Sequence, residues 1–184
     1  MRWLIASDVH GSGTWCEALV QAFTREKVDR LLLLGDILYH GPRNDLPDGY
    51  DPKRVIDLLT PLKNRILCVR GNCDTEVDQM VLPFPIMADY ALLQEGQRLI
   101  FATHGHHYNA GSLPPLSPGD ILLHGHTHVP CCCQAAGVTV LNPGSVSIPK
   151  EGSWHGYMTL DAGAFLWKDF DGGERLSWRS GEQA

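Results

Sequence analysis

The sequence predicts an α/β fold, and two observations carry the prediction. Up to Val69, short apolar runs of strand length alternate with stretches whose apolar residues fall at helical spacing. In addition, polar residues able to hold a metal follow directly on one apolar run after another.

Taken in order, Arg2-Trp-Leu-Ile-Ala6 reads as a short buried strand. Cys16, Leu19, Val20 and Phe23 then recur at helical spacing, with Ser12 or Thr14 as the cap. Leu31 to Leu34 is a continuous apolar run, as expected of a strand covered on both faces, and Gly35-Asp36 stops it. A loop rich in Gly, Pro and Asp runs from His40 to Asp51, where Asp51-Pro52 has the form of an N-cap followed by proline at the first helical position. Val55, Leu58, Leu59 and Leu62 give the next helix one apolar face, and Ile66 to Val69 makes a third strand before Arg70-Gly-Asn72. This β-α-β-α-β order predicts a parallel sheet with helical crossovers. After Pro83 and Pro85 the texture changes to strands separated by turns, predicted at 98–103, 121–124, 138–141, 156–160, 164–168 and 174–178. Asp161-Ala-Gly163 and Asp171-Gly-Gly173 supply hairpin-type turns. One domain over 1–184 is expected, with 179–184 as a frayed polar end.

The chain has 184 residues and a formal charge of −6. That length buries enough surface to fold without disulfides or a structural metal, and the 43% hydrophobic content excludes disorder over most of it. The acidic balance excludes a broad nucleic-acid-binding face, which needs clustered Lys and Arg. No apolar run approaches the ~18 residues of a membrane span. The six cysteines stand at 16, 68, 73 and 131 to 133. Adjacent cysteines are poor disulfide partners and no stretch reads as a secretory signal, so reduced thiols and a cytoplasmic location are expected. Cys131, Cys132 and Cys133 are expected to be small apolar filling near a strand. Six of the nine histidines fall between His104 and His128, more crowding than packing requires.

Metal-capable residues end the strands. Asp8-Val-His10 follows the first, Gly35-Asp36 the second, Gly71-Asn-Cys-Asp74 the third, His104-Gly-His106 a later one and His124-Gly-His126-Thr-His128 another. Ligands of open α/β sheets bind outside the carboxyl ends of the strands, so these loops are placed to converge. Each motif alone is weak; the ordered set points to a metal centre. Aspartate, histidine and an amide oxygen suit Mn²⁺, Fe²⁺, Zn²⁺, Ni²⁺ or Mg²⁺, and the donors outnumber what one ion takes. Two divalent ions clamp the attacking and leaving oxygens of a phosphoryl transfer and lower the pKa of a bound water, which needs no protein nucleophile.

Asp8-x-His10, Gly35-Asp36, Gly71-Asn72-x-Asp74, His104-Gly-His106 and Gly125-His126-x-His128 resemble the signature of the calcineurin-like metallophosphoesterases. The resemblance spans the chain from the first strand to Asn142-Pro-Gly-Ser145. The runs 35–44, 69–79 and 142–150 are similar to the small bacterial YfcE-type phosphodiesterases. It implies a four-layer α-β-β-α sandwich with Asp8, His10, Asp36 and His128 on one metal and Asp36, Asn72, His104 and His126 on the other, Asp36 bridging. It favours Mn²⁺, with Zn²⁺, Fe²⁺ or Ni²⁺ open, and hydrolysis by a hydroxide bridging the two ions. Many relatives place histidine after the asparagine to protonate the leaving group; this chain has Cys73, as the YfcE-like branch does. A thiol of pKa ~8.5 is a poorer acid near pH 7 than an imidazole at ~6.5, so reliance on the metals and on esters with easy leaving groups is expected.

Other residues are assigned more modestly. Arg43 and Asn44 are placed either to reach the substrate phosphate or, in the case of the arginine, to stand solvated in its loop, and His106 to act behind His104 or in proton transfer. His107 and His124 are read as neighbours without a duty, His40 and His155 stay undecided, and Trp154 and Tyr157 are packing. Asp74 orients its own loop, Thr127 bonds within the His-x-His turn, and Gly71, Gly105 and Gly125 let backbone approach the centre. The expected partner is a small phosphodiester substrate, with a homo-oligomer left open. Two alternatives stand beside the diesterase. One is a phosphomonoesterase, nucleotide phosphatase or protein phosphatase, although the Gly-Asp-x-x-x-Arg-Gly motif of the last is absent. The other is a protein-binding scaffold of the same fold, like a sorting-complex subunit that lost its metal-binding histidines.

Overall fold

Two β-sheets lie face to face in the computed structural model, which describes residues 1–181. The first has the order β11-β10-β9-β1-β2-β3 and the second β4-β5-β6-β8-β7. The first holds β1 (Trp3–Ala6), β2 (Arg30–Leu33), β3 (Ile66–Cys68), β9 (Gly156–Asp161), β10 (Ala164–Asp169) and β11 (Glu174–Arg179). The second holds β4 (Tyr90–Glu95), β5 (Arg98–Thr103), β6 (Ile121–Leu123), β7 (Cys131–Ala135) and β8 (Val138–Asn142). β1, β2 and β3 pair in parallel, as do β5, β6 and β8, so the carboxyl ends within each set point the same way.

Period-two alternation sorts the strand side chains among three cores. Ile5, Leu32, Leu34, Ile100, Ala102, Ile121, Leu123 and Leu141 fill the space between the sheets with Met158, Phe165 and Trp167. Leu4, Ala6, Leu31 and Leu33 point the other way, under the helices. Those helices are α1 (Gly13–Arg25) and α2 (Pro52–Leu59), the latter running into a 3₁₀ helix, Thr60–Arg65. Ser12, not Thr14, caps α1 by accepting from the Trp15 N–H, and Asp51 caps α2 through the Arg54 N–H. On the outer face of the second sheet, Phe101, Leu122, Val138 and Val140 are covered by Leu113 and Leu116 from irregular chain, so that layer carries no α-helix among the described residues.

Three elements escape the sequence pattern. β4 is an edge strand of alternating exposure built from helix formers such as Ala91, Leu92, Leu93 and Glu95, so the sheet edge it pairs with, not its propensity, makes it a strand. β7 contains the three cysteines; Cys131 and Cys133 face the outer core and Cys132 the inner one, in keeping with a filling role. α3 (Glu76–Val81) begins with a capping box in which Thr75 and Asp78 satisfy each other's backbone N–H. Arg179 closes β11, and the Ser180 N–H donates to Gly163, so strand pairing overrides the polarity that suggested fraying there. Positions 182–184 lie outside the described residues.

One partly buried ionic cluster joins α1 to the β9-β10 hairpin. The Glu26 carboxylate accepts from Lys168 Nζ at 2.8 Å and from the Tyr157 hydroxyl at 2.9 Å, and Arg25 donates to that hydroxyl at 3.1 Å. Burial works to raise the Glu26 pKa, but Lys168 and Tyr157 bring it below the usual value.

Candidate metal centre

The carboxyl ends of β1, β2, β3, β5 and β6 bring the five motif loops to one edge. Asp8, Asp36, His10, His104 and His128 are each at most 3% exposed, a degree of burial that charged groups reach only with partners. His10 Nε2 lies 3.5 Å from Asp8 Oδ1 and 3.7 Å from Asp36 Oδ2, and His128 Nε2 lies 3.3 Å from Asp8 Oδ1. On the other side, His104 Nε2 is 3.4 Å from Asp36 Oδ2, 3.1 Å from Asn72 Oδ1 and 3.2 Å from His126 Nδ1. Asp36 faces both groups. Asn72 is exposed and His126 half-buried, so this second side opens to solvent.

Hydrogen bonds behind the cluster decide which ring nitrogen faces in. His10, His104 and His128 place Nδ1 against the backbone carbonyls of Tyr39, Leu34 and Ile148 at 2.7, 2.6 and 2.6 Å. A carbonyl only accepts, so each Nδ1 carries a proton and each Nε2 is left to face the centre. His10 Nε2 and His128 Nε2 stand 3.3 Å apart, and Asp8 Oδ1 is buried without a hydrogen-bond partner. Inward lone pairs and an orphaned carboxylate oxygen need a positive charge between them. Burial opposes charging of His104, yet Asp36 and Asp8 raise its pKa to about 9, and His10 is raised by the same pair. Burial would raise the Asp8 pKa, but His10 and His128 hold it well below the usual carboxylate value. The cavity, the oxygen and nitrogen donors and their spacing fit divalent cations.

The main chain is bent to make this convergence. Asp8, His10, Asp36, His126 and His128 all have positive φ, between 48° and 68°. Each such turn costs a non-glycine residue about 1–2 kcal/mol. Asp74 holds two of the loops together by accepting the N–H groups of Asp36, Ile37 and Gly71 at 2.8, 2.9 and 2.7 Å. A Cβ at Gly71 would sit 2.0 Å from Asp36 Oδ1, and one at Gly125 1.9 Å from Ser7 Oγ, so only glycine fits at either place. Asn142, at the end of β8, donates to the Gly125 carbonyl and Thr127 Oγ1 and fastens the His126 loop from below. The Ser145 and Ser147 hydroxyls both donate to the Asp8 carbonyl. These three residues lie in a stretch singled out by resemblance alone; their burial, invisible in sequence, reveals the supporting role.

A cleft of ≈ 450 Å³ opens over the cluster, and Arg43, Cys73 and Lys150 are among its lining residues. Cys73 fixes Asp36 by donating its N–H to Oδ1 at 2.8 Å, while burial and the Asp36 charge push its thiol up to about 12. Lys150 carried no assignment from the sequence. His106 lines an adjoining hollow with Arg70, Asn72, Asp89 and His107. Desolvation and the imidazoles of His104, His107 and His126 lower its pKa to about 4, so it is neutral near pH 7. His124 is buried beside Gly125 and Asn142, and His107 is exposed.

The model of the calcineurin-like phosphoesterase superfamily domain matches residues 1–164. Phosphodiesterase YfcE of Escherichia coli (strain K12) is 47% identical over 162 residues, which cover 88% of this chain and 88% of that protein. A probable metallophosphoesterase of Bacillus subtilis (strain 168), YsnB, is 26% identical over 171 residues, covering 87% and 83%. The solved structure of the Escherichia coli phosphoesterase YfcE superposes with a TM-score of 0.94 at 40% identity over 98% of this chain and 100% of that one. Vacuolar Protein Sorting 29 from Cryptosporidium parvum superposes with a TM-score of 0.62 at 17% identity over 97% of each chain, a likeness of fold alone.

Proposed function

The chain belongs to the calcineurin-like phosphoesterase superfamily, and on that premise we propose that it is a dinuclear metal-dependent phosphodiesterase. The observation that carries the reading is the unclosed cluster: His10 Nε2 and His128 Nε2 3.3 Å apart beside the orphaned Asp8 Oδ1. Asp8, His10, Asp36 and His128 would hold one ion, and Asp36, Asn72, His104 and His126 the other, Mn²⁺ being the ion of choice. Two such cations would lower the pKa of a water and neutralise charge developing on the phosphoryl oxygens. The protein's part is placement. The Tyr39, Leu34 and Ile148 carbonyls hold three rings in one tautomer and orientation, and Asp74 fixes the Asp36 corner. The cleft walls position the ester, with the Arg43 guanidinium among them.

No imidazole follows Asn72, and the Cys73 thiol, pushed up to about 12, donates a proton poorly near pH 7. Esters whose leaving groups depart without a proton are therefore handled best. Cys73→Ala loses far less activity than Asp36→Ala; equal losses would show that the thiol is indispensable. Free thiols at all six cysteines support a cytoplasmic placement. The decisive assay compares bis(p-nitrophenyl) phosphate with p-nitrophenyl phosphate in the Mn²⁺-loaded protein. Faster diester turnover is expected, and faster monoester turnover would overturn the diesterase reading.

A further inference from the structure

Arg43 and Lys150 line the cleft over the cluster from two loops distant in sequence, yet both are mounted in the same way. The Tyr39 carbonyl, in the loop that leads to Arg43, accepts the Nδ1–H of His10 at 2.7 Å. The Ile148 carbonyl, in the segment that leads to Lys150, accepts the Nδ1–H of His128 at 2.6 Å. The Lys150 N–H returns to the His128 carbonyl at 3.2 Å, and Ser153 Oγ donates to the Lys150 carbonyl at 2.6 Å. Asn44 closes the other loop on the His40 carbonyl at 2.8 Å. Each cation thus rides on a loop that also orients an imidazole of the centre.

Neither cation has an ion-pair partner among the described residues. Their acidic neighbours in the chain, Asp45, Asp48 and Glu151, do not line the cleft, and Asp36 is the one carboxylate that does. Two divalent ions held by Asp8 and Asp36 leave the centre positive, which already meets the single charge of a phosphodiester with neutral arms. The rim cations are surplus to such a substrate and suit one with a second negative charge.

Resting on the diesterase reading above, we propose that the cleft takes phosphodiesters whose departing arm is itself anionic, a diphosphate diester being the simplest, with Arg43 and Lys150 binding that arm. Water adds to one phosphorus, the bond from that phosphorus to the bridging oxygen breaks, and the electron pair leaves on the oxygen. The products are two phosphate monoesters, which take up one proton each from the water. The departing phosphate needs no protonation, and the two cations meet the charge that appears on it.

The test measures kcat and KM for Mn²⁺-loaded wild type, Arg43→Ala, Lys150→Ala and Lys150→Arg on P1,P2-di(5′-adenosyl) diphosphate and on bis(p-nitrophenyl) phosphate. For each alanine variant, the fall in kcat/KM on the diphosphate exceeds that on the neutral-armed diester by about tenfold or more, as loss of a charge-assisted hydrogen bond predicts. Lys150→Arg restores most of it. A binding readout independent of turnover uses the methylene-bridged analogue of the diphosphate, titrated calorimetrically into the Mn²⁺-loaded protein; both alanine variants bind it about tenfold more weakly. Equal losses on the two substrates, or unchanged affinity for the analogue, overturn the proposal. Cleavage of bis(p-nitrophenyl) phosphate without cleavage of the diphosphate overturns it alone, whereas cleavage of neither overturns the diesterase reading with it.

Discussion

Two polar clusters in this protein, one partly buried and one buried, are satisfied in opposite ways. Around Glu26, the Lys168 ammonium, the Tyr157 hydroxyl and the Arg25 guanidinium supply every charge and donor the carboxylate needs, and the cluster closes on itself. At the strand ends, two carboxylates and four imidazoles converge with their proton-bearing nitrogens largely turned away, and Asp8 Oδ1 is left without a hydrogen bond. The first cluster serves the fold. The second is costly to the fold and calls for a cation from outside. Burial of polar groups therefore separates structural from functional clusters only when their partners are counted.

The largest effect that could break this contrast is at Asp36, which faces both ligand groups. Asp36→Ala should lower kcat/KM on bis(p-nitrophenyl) phosphate by at least about 10³-fold and reduce the bound Mn²⁺ found by elemental analysis to fewer than two ions per chain. Two ions with full activity would mean that the cluster closes without it. Asn72→Ala tests the solvent-facing side alone: one ion should remain bound while activity falls by about 10²-fold or more. If both ions are lost together, the two groups are not separable.

Asp74→Asn sharpens the comparison from behind the ligands. Its amide cannot accept all three N–H groups that the carboxylate accepts, so Mn²⁺ affinity should weaken by roughly 10–100-fold, read by calorimetry. An unchanged affinity would show that the loops hold their shape unaided. Adding Mn²⁺ to stripped wild type at about 100 times its Kd should stabilise the fold by ~2.7 kcal/mol per site, measured by denaturant titration. The smallest effect lies at the closed cluster. The folded-state pKa of Glu26 is depressed, so its contribution is present above the ordinary value of 4.5 and is lost as pH falls through the lowered one. Glu26→Gln should lower Tm at pH 7, leave Mn²⁺ binding intact, and differ less from wild type as the solution is acidified through that window. A Tm gap that widens on acidification would reverse the sign and refute the assignment.

Much of this was legible in the residues. Continuous apolar runs ending in Asp8-Val-His10, Gly35-Asp36 and Gly71-Asn72 mark buried parallel strands and, at their ends, the loops that converge. What stayed hidden depends on neighbours. β4 is spelled in helix formers and becomes a strand by pairing with β5. The Thr75-x-x-Asp78 capping box was a readable signal for α3, obscured by the motif just before it. Lys150 acquires its place only when the hydrogen bonds of His128 bring its loop to the cleft, and no local pattern encodes that long-range contact.

The left-handed corners at Asp8, His10, Asp36, His126 and His128 have a consequence for anyone wishing to transplant this chemistry. Copying the seven side chains onto another parallel sheet would deliver the right atoms aimed in the wrong directions, because the main-chain corners do part of the aiming. A successful graft has to import five reversed turns, the glycines that make room beside them, and a host rigid enough to hold about 1–2 kcal/mol of conformational strain at each. The transferable unit is the bent loop together with its anchor beneath, not the constellation of ligands.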